Sequence, residues 1–210
     1  MMQIITGILF FFLFSVANPQ AFKGSITFEK QTATDTISYV YHVRDNLVRI
    51  DELNKNGKVV TGTIVDILTK EVKVLSPDRK LYITLPARNL AELQSEQVEV
   101  VKSPNAKVIN GYTCYQWRVK NKSKNTEFSY WVASDHFFFF EQTLRIVSNT
   151  ERIQDYYLTI PDINGFLPMV SEERTMLRDL RMCLQVKKIQ KGTPDESLFK
   201  VPAGYAKFEK

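Results

Sequence analysis

The chain has 210 residues, with 28 Lys and Arg against 23 Asp and Glu for a formal charge of +5; its length fits one domain. At that size roughly 70% of the unfolded surface is buried on folding, so no disulfide or metal staple is required. The basic residues form no dense run and the chain holds only two histidines. This leaves nucleic-acid binding and histidine-ligated zinc poorly supported.

The first seventeen residues carry no charge, and the apolar run Ile4 to Val16 ends in the small-x-small pattern Ser15-Val16-Ala17. The segment reads as a secretory signal peptide over 1–17, with cleavage as late as 21. The run is shorter than the roughly 20 residues of a spanning helix. No cysteine precedes Cys114, so the attachment point of a bacterial lipoprotein is missing. The expectation is a periplasmic protein whose mature part, 22–210, is one domain, acts as a monomer and is basic enough for peripheral contact with membranes.

Alternating patterns then follow at intervals of about ten residues. Strands are expected over 22–30, 36–44, 47–52, 59–66, 71–76 and 81–85, with turn residues such as Asp45-Asn46 and Asn54 to Gly57 between them. That is a meander, the signature of one large antiparallel sheet rather than of βαβ units. Residues 87–94 suit either a short helix or a loop with buried Leu90 and Leu93, and 98–102 suit another strand.

Lys107 to Phe140 carries the strongest pattern: two alternating runs flank a polar turn at Asn121 to Asn125 and deliver the chain into Phe137-Phe138-Phe139-Phe140. Trp117 and Trp131 lie on strands already rich in aromatic residues, so both faces of this hairpin expect a neighbour. A strongly curved sheet supplies one. After Asp135, a candidate N-cap, the apolar period changes to three and four through Phe137, Phe140, Leu144 and Val147, which predicts a helix over 135–149. A second helix is expected over 150–158, capped by Thr150. Extended structure resumes at 165–168 and 171–174, a long strand is expected over 179–191, and Pro202 and Gly204 restrict 197–205 to an edge tie-down.

These features resemble an exported bacterial domain-of-unknown-function family related to the LolA-type lipoprotein-carrier superfamily. The resemblance rests on Phe22-Lys23-Gly24, Leu47-Val48-Arg49-Ile50, Ile64-Val65-Asp66 with Leu81-Tyr82, Ile109 to Cys114, Tyr130-Trp131-Val132, Gly165 to Pro168 and Phe199 to Tyr205, which occur in the expected order over most of the mature chain. It implies a mainly β fold: an unclosed antiparallel half-barrel whose concave side is capped by helices and can hold acyl chains.

No HExxH, G-x-S-x-G, phosphate-loop or dinucleotide pattern occurs, so neither catalysis, a metal nor a cofactor is expected. His42 reads as a surface residue and Asp135-His136 as a helix start. The phenylalanines have two readings. They pack a helix onto the sheet, or Phe137, Phe138, Phe139 and Phe140 line or gate an apolar cavity with Leu144, Tyr39, Tyr41, Trp117 and Trp131. The second makes the chain a non-catalytic binder of a lipid, acyl chain or acylated protein; the first leaves an envelope interaction module with a filled core. Cys114 and Cys183 suit a disulfide closing about 70 residues or two free thiols.

Overall fold

The computed structural model describes residues 21–89, 97–148 and 151–209. The expected leader lies outside them, as does most of the segment 87–94; residues 87–89 form no helix. Twelve strands follow in chain order: β1 (Gly24–Thr32), β2 (Thr36–Arg44), β3 (Leu47–Leu53), β4 (Val59–Asp66), β5 (Glu71–Ser76), β6 (Leu81–Leu85), β7 (Glu99–Ile109), β8 (Tyr112–Asn121), β9 (Thr126–Ser134), β10 (Phe166–Thr175), β11 (Leu180–Lys191) and β12 (Ala206–Lys207). Helices α1 (Phe138–Ile146) and α2 (Arg152–Tyr157) separate β9 from β10.

All the strands join one unclosed sheet in the order β12-β6-β5-β4-β3-β2-β1-β11-β10-β9-β8-β7. Every adjacent pair is antiparallel except β12 on β6. The meander β1 to β6 forms one half; β11 crosses back beside β1 and carries β10 to β7 as the other. Asn110 and Gly111 join β7 to β8 at φ 51° and 81°, the paired positive values of a tight hairpin turn.

α1 and α2 pack on the inward face of the second half. Phe128 stacks on Tyr156 at 4.1 Å between ring centres, and Tyr130 meets Tyr157 at 5.4 Å. Two buried hydrogen bonds peg α2 to the sheet: Tyr130 Oη donates to the Ile153 carbonyl at 2.6 Å, and Asn121 Nδ2 donates to Tyr156 Oη at 2.9 Å.

Several expected boundaries move for identifiable reasons. β7 runs through Pro104 to Ile109, because an irregularity between Lys102 and Ala106 takes the proline out of the ladder. β10 is likewise one strand, with its register shift between Pro168 and Val170. Asp135 does not cap α1: the N-cap is Phe137, without a side-chain cap, and the Asp135 carboxylate accepts instead from Lys191 Nζ at 2.7 Å. Glu151 caps α2 through a capping box with Gln154; Thr150, the expected cap, lies outside the described residues. The edge contact of the C-terminal segment falls later than expected, on Ala206 and Lys207 beside Leu81 and Tyr82. Residues Glu196–Phe199 form a 3-10 turn against β3.

The cysteines are free thiols. Cys183 pairs with Glu172, Glu172 with Ser129 and Ser129 with Arg118, so the register row from Cys183 reaches β8 four residues from Cys114. Three strand steps of about 4.8 Å separate them across the sheet, beyond the roughly 7 Å that a disulfide spans between Cα atoms. Burial pushes both thiols up in pKa, which keeps them protonated and unreactive.

Candidate functional site

The pairing register of the first half fixes three inward-facing rows. The innermost is Val43, Val48, Val65, Val72 and Leu85. The middle row is Ile26, Tyr41, Ile50, Thr63, Val74 and Ile83. The outermost is Phe28, Tyr39, Glu52 and Thr61, nearest the end of the sheet that carries the turns after β1, β3, β5, β8 and β10. The rows grade from aliphatic to polar over two steps, each one strand alternation long.

A pocket of about 230 Å³ lies on these rows. Leu144 and Val147 from α1 and its C-cap, Gln154 and Glu151 from α2 and its N-cap, and Leu184 from β11 enclose the other side. Lys30 Nζ donates to Glu151 Oε1 at 2.7 Å and Gln154 Nε2 donates to Tyr41 Oη at 3.4 Å. Arg88 ties the roof from outside: its Nη1 donates to Asp155 at 2.6 Å and its backbone N–H to the Ile146 carbonyl at 2.9 Å.

At the mouth Lys30 and Glu151 pair, whereas the floor is apolar. Burial pushes the Tyr41 phenol up to about 12, against a smaller opposing effect of the Gln154 hydrogen bond. Burial raises Tyr39 as well. For Lys30 burial works downward, and the hydrogen bonds and charges of Glu151 and Tyr39 together override it, so the ammonium is held above its ordinary value. Thr143, on the α1 wall, is fully buried and its hydroxyl has no hydrogen-bond partner among the described residues.

Tyr39, Tyr41 and Leu144 therefore meet at this pocket, joined by Phe28. Phe137, Phe139 and Phe140 are buried elsewhere, in a ring cluster: Phe137 sits 5.2 Å from Phe22, and Phe140 sits 6.2 Å from Phe28 and 5.8 Å from Tyr157. Phe138 lies half-buried over Gly165, where an added Cβ would come within 3.0 Å of its ring. Trp117 is buried against Phe166 in the helix-covered half. Trp131 alternates to the opposite face, under the Lys107 ammonium at 4.0 Å. Glu52, Thr61, Thr63 and Gln154 are pocket residues that sequence reading missed. Each is unremarkable alone, and only cross-strand register puts them together.

The outward face holds a second cluster that sequence reading missed. Ser25, His42 and Arg49 share a register row. Ser25 Oγ and His42 Nδ1 are 2.8 Å apart, and His42 Nε2 is 3.6 Å from Asp51 Oδ2. The order is that of a nucleophile, base and acid. However, the short bond of buried Asp51 goes to Arg49 Nε at 2.8 Å, and 3.6 Å is too long for a hydrogen bond to orient the imidazole. Arg49 also donates to the Leu198 carbonyl at 2.8 Å and Arg44 to that of Pro194 at 3.1 Å. The cluster is a clip that fastens the C-terminal segment across β2 and β3.

No curated protein matches the chain. An uncharacterized conserved protein from Thermus thermophilus superposes with a TM-score of 0.50 at 9% identity, covering 90% of this chain and 91% of that one. A Pseudomonas aeruginosa MucA/MucB complex gives 0.49 at 13% identity over 85% of this chain and 55% of that one. A putative outer membrane lipoprotein-sorting protein domain from Vibrio parahaemolyticus gives 0.30 at 7% identity over 84% and 87%. The architecture is one large unclosed, almost wholly antiparallel sheet with two helices on its inward face, the mainly β fold expected from the sequence. Residues 22–205 match the model of the family described as "Domain of unknown function (DUF4412)", and the chain belongs to that family.

Proposed function

We propose that this protein is a non-catalytic binder of the cell envelope that holds a compact apolar group in the pocket between β2–β6 and the two helices. The observation that carries the reading is the gradient across the three inward rows where they line the pocket: Val72 and Leu85 at the floor, Tyr41 and Thr63 midway with Ile50 and Val74, Tyr39, Glu52 and Thr61 at the rim. Such a wall suits an amphiphile that inserts its apolar end and leaves its polar end at the mouth. The volume limits the ligand. At about 230 Å³ the pocket falls below the roughly 300 Å³ at which ordinary ligand sites begin. It therefore takes the end of one acyl chain, from a lipid or an acylated protein, and does not enclose a whole lipid as cargo. The apolar segment 1–17 supports a periplasmic setting.

Native mass spectrometry of protein purified without detergent from the periplasm of a Gram-negative host tests this. The expected result is a co-purifying amphiphile, absent from a folded Thr63→Phe variant. A clean apo mass that takes up no added fatty acid or phospholipid overturns it and leaves the interaction module with a filled core.

A further inference from the structure

The turn from β10 to β11 exposes Met176, Leu177 and Leu180, with Leu177 at 83% and Leu180 at 51% of full exposure. Leu68 and Phe208 are also exposed, but they stand singly, as surface apolar residues commonly do. Three within five residues make a patch.

Cations surround it. Arg178 lies in the turn itself, Arg181 is the second residue of β11, and Arg152 opens α2; all three are exposed. The pairing of Thr175 with Thr126 sets the β8–β9 turn alongside, with exposed Lys122. Most of the answering carboxylates are recessed. Glu173, near both Arg152 and Arg181, is only 10% exposed, and Glu172 holds Arg174 from within the sheet. Asp179 is exposed, but its carboxylate accepts from the Thr175 hydroxyl inside the turn, and Glu99 faces Lys122 at 3.3 Å. The projecting charge is thus mainly positive and stands just behind the apolar tip.

We propose that this turn docks on an anionic lipid bilayer. Met176, Leu177 and Leu180 enter the headgroup boundary, where apolar side chains leave water, while Arg178, Arg181, Arg152 and Lys122 meet lipid phosphates. Neither contribution suffices alone: three apolar side chains give marginal attachment, and solvated cations without an anchor bind loosely. The turn lies at the end of the sheet nearest the pocket's outer row of Tyr39, Glu52 and Thr61. Docking there brings the pocket mouth toward the headgroups, although the docking itself does not require an occupied pocket.

Flotation of the purified protein with phosphatidylcholine vesicles, with and without phosphatidylglycerol, tests the proposal. The protein is expected to float with the anionic vesicles, less with neutral ones, and less as salt is raised. Leu177→Asp should weaken the association about tenfold, and Arg178→Gln about fivefold. Both positions are solvent-exposed, and matching thermal transitions verify that the variants fold. Wild-type protein that stays with neither vesicle type, or Leu177→Asp that floats as well as wild type, overturns it. Fatty-acid uptake by the same variants, measured without vesicles, is expected to be unchanged, so failure of docking and failure of the pocket are read separately.

Discussion

Beneath α1 and α2, the inward face of β8 to β10 carries Trp117, Phe128 and Tyr130, and each ring is matched by one from above or beside it. Across the sheet the same face of β3 and β4 carries Ile50 and Glu52, then Thr61 and Thr63, at corresponding positions in the ladder, and there a pocket of about 230 Å³ remains. Both halves are antiparallel strands of one sheet. The difference lies in side-chain volume and in where two short helices reach. Large rings against helices make a packed core; small and polar side chains under the helix edge leave space. The Phe137 to Phe140 run belongs to the first regime and the pocket to the second. Phe28, Tyr41 and Phe140 form the seam between them, with Phe28 4.8 Å from Tyr41 and Tyr41 6.4 Å from Phe140.

Truncating the seam should have the largest effect. Phe140→Ala is expected to cost about 3–5 kcal/mol, read from denaturant unfolding, because the ring is 2% exposed and touches Phe28, Tyr41, Phe139 and Tyr157. A loss under about 1 kcal/mol would mean that the ring lines open space, and the contrast between the halves would fail.

Alkaline pH probes the same seam. Burial raises the phenols of Tyr41, Tyr130 and Tyr157 in the folded protein. A raised phenol binds its proton more tightly when folded, so its stabilising share is intact below the unfolded value near 10 and is lost as pH climbs. For Tyr41 the window runs from about 10 to about 12, and two units at about 1.4 kcal/mol each amount to about 3 kcal/mol. Stability should hold between pH 8 and 9 and fall above 10, less steeply in Tyr41→Phe.

The pocket wall should be more forgiving. Val74→Ala is expected to cost about 1 kcal/mol, since the side chain is only partly buried and leaves little new cavity. Thr63→Phe should change stability by less than about 1 kcal/mol, because its ring enters existing space. In a filled core the same substitution overpacks and costs about 1–3 kcal/mol.

Much of the first half was legible in the sequence. β2, β4, β5 and β6 begin and end where alternation and turn residues put them, since each strand needs only its own pattern and a local reversal. The helix over 135–149 proved shorter, at Phe138–Ile146, because Lys191, distant in sequence, recruits Asp135. Which aromatic residues face inward was not legible. Trp117 and Trp131 look equivalent on paired strands, yet Trp117 opposes Tyr130 and Trp131 opposes Gln116, and that registry decides their faces. Glu52 and Thr61 likewise become a pocket rim only through cross-strand pairing. Phe137 and Phe140, which sequence alone marks as candidates for a ligand mouth, are core rings, so a charge placed there would unfold the protein rather than test binding.

Calorimetric titration with a series of fatty acids of increasing chain length tests the pocket most directly. Affinity should rise about fourfold per methylene while the chain enters the pocket. It should then level off once the pocket is full, and at a shorter chain in Thr63→Phe. No binding at any length, or a rise that continues through long chains and ignores Thr63→Phe, would contradict a small graded pocket in the first half of the sheet.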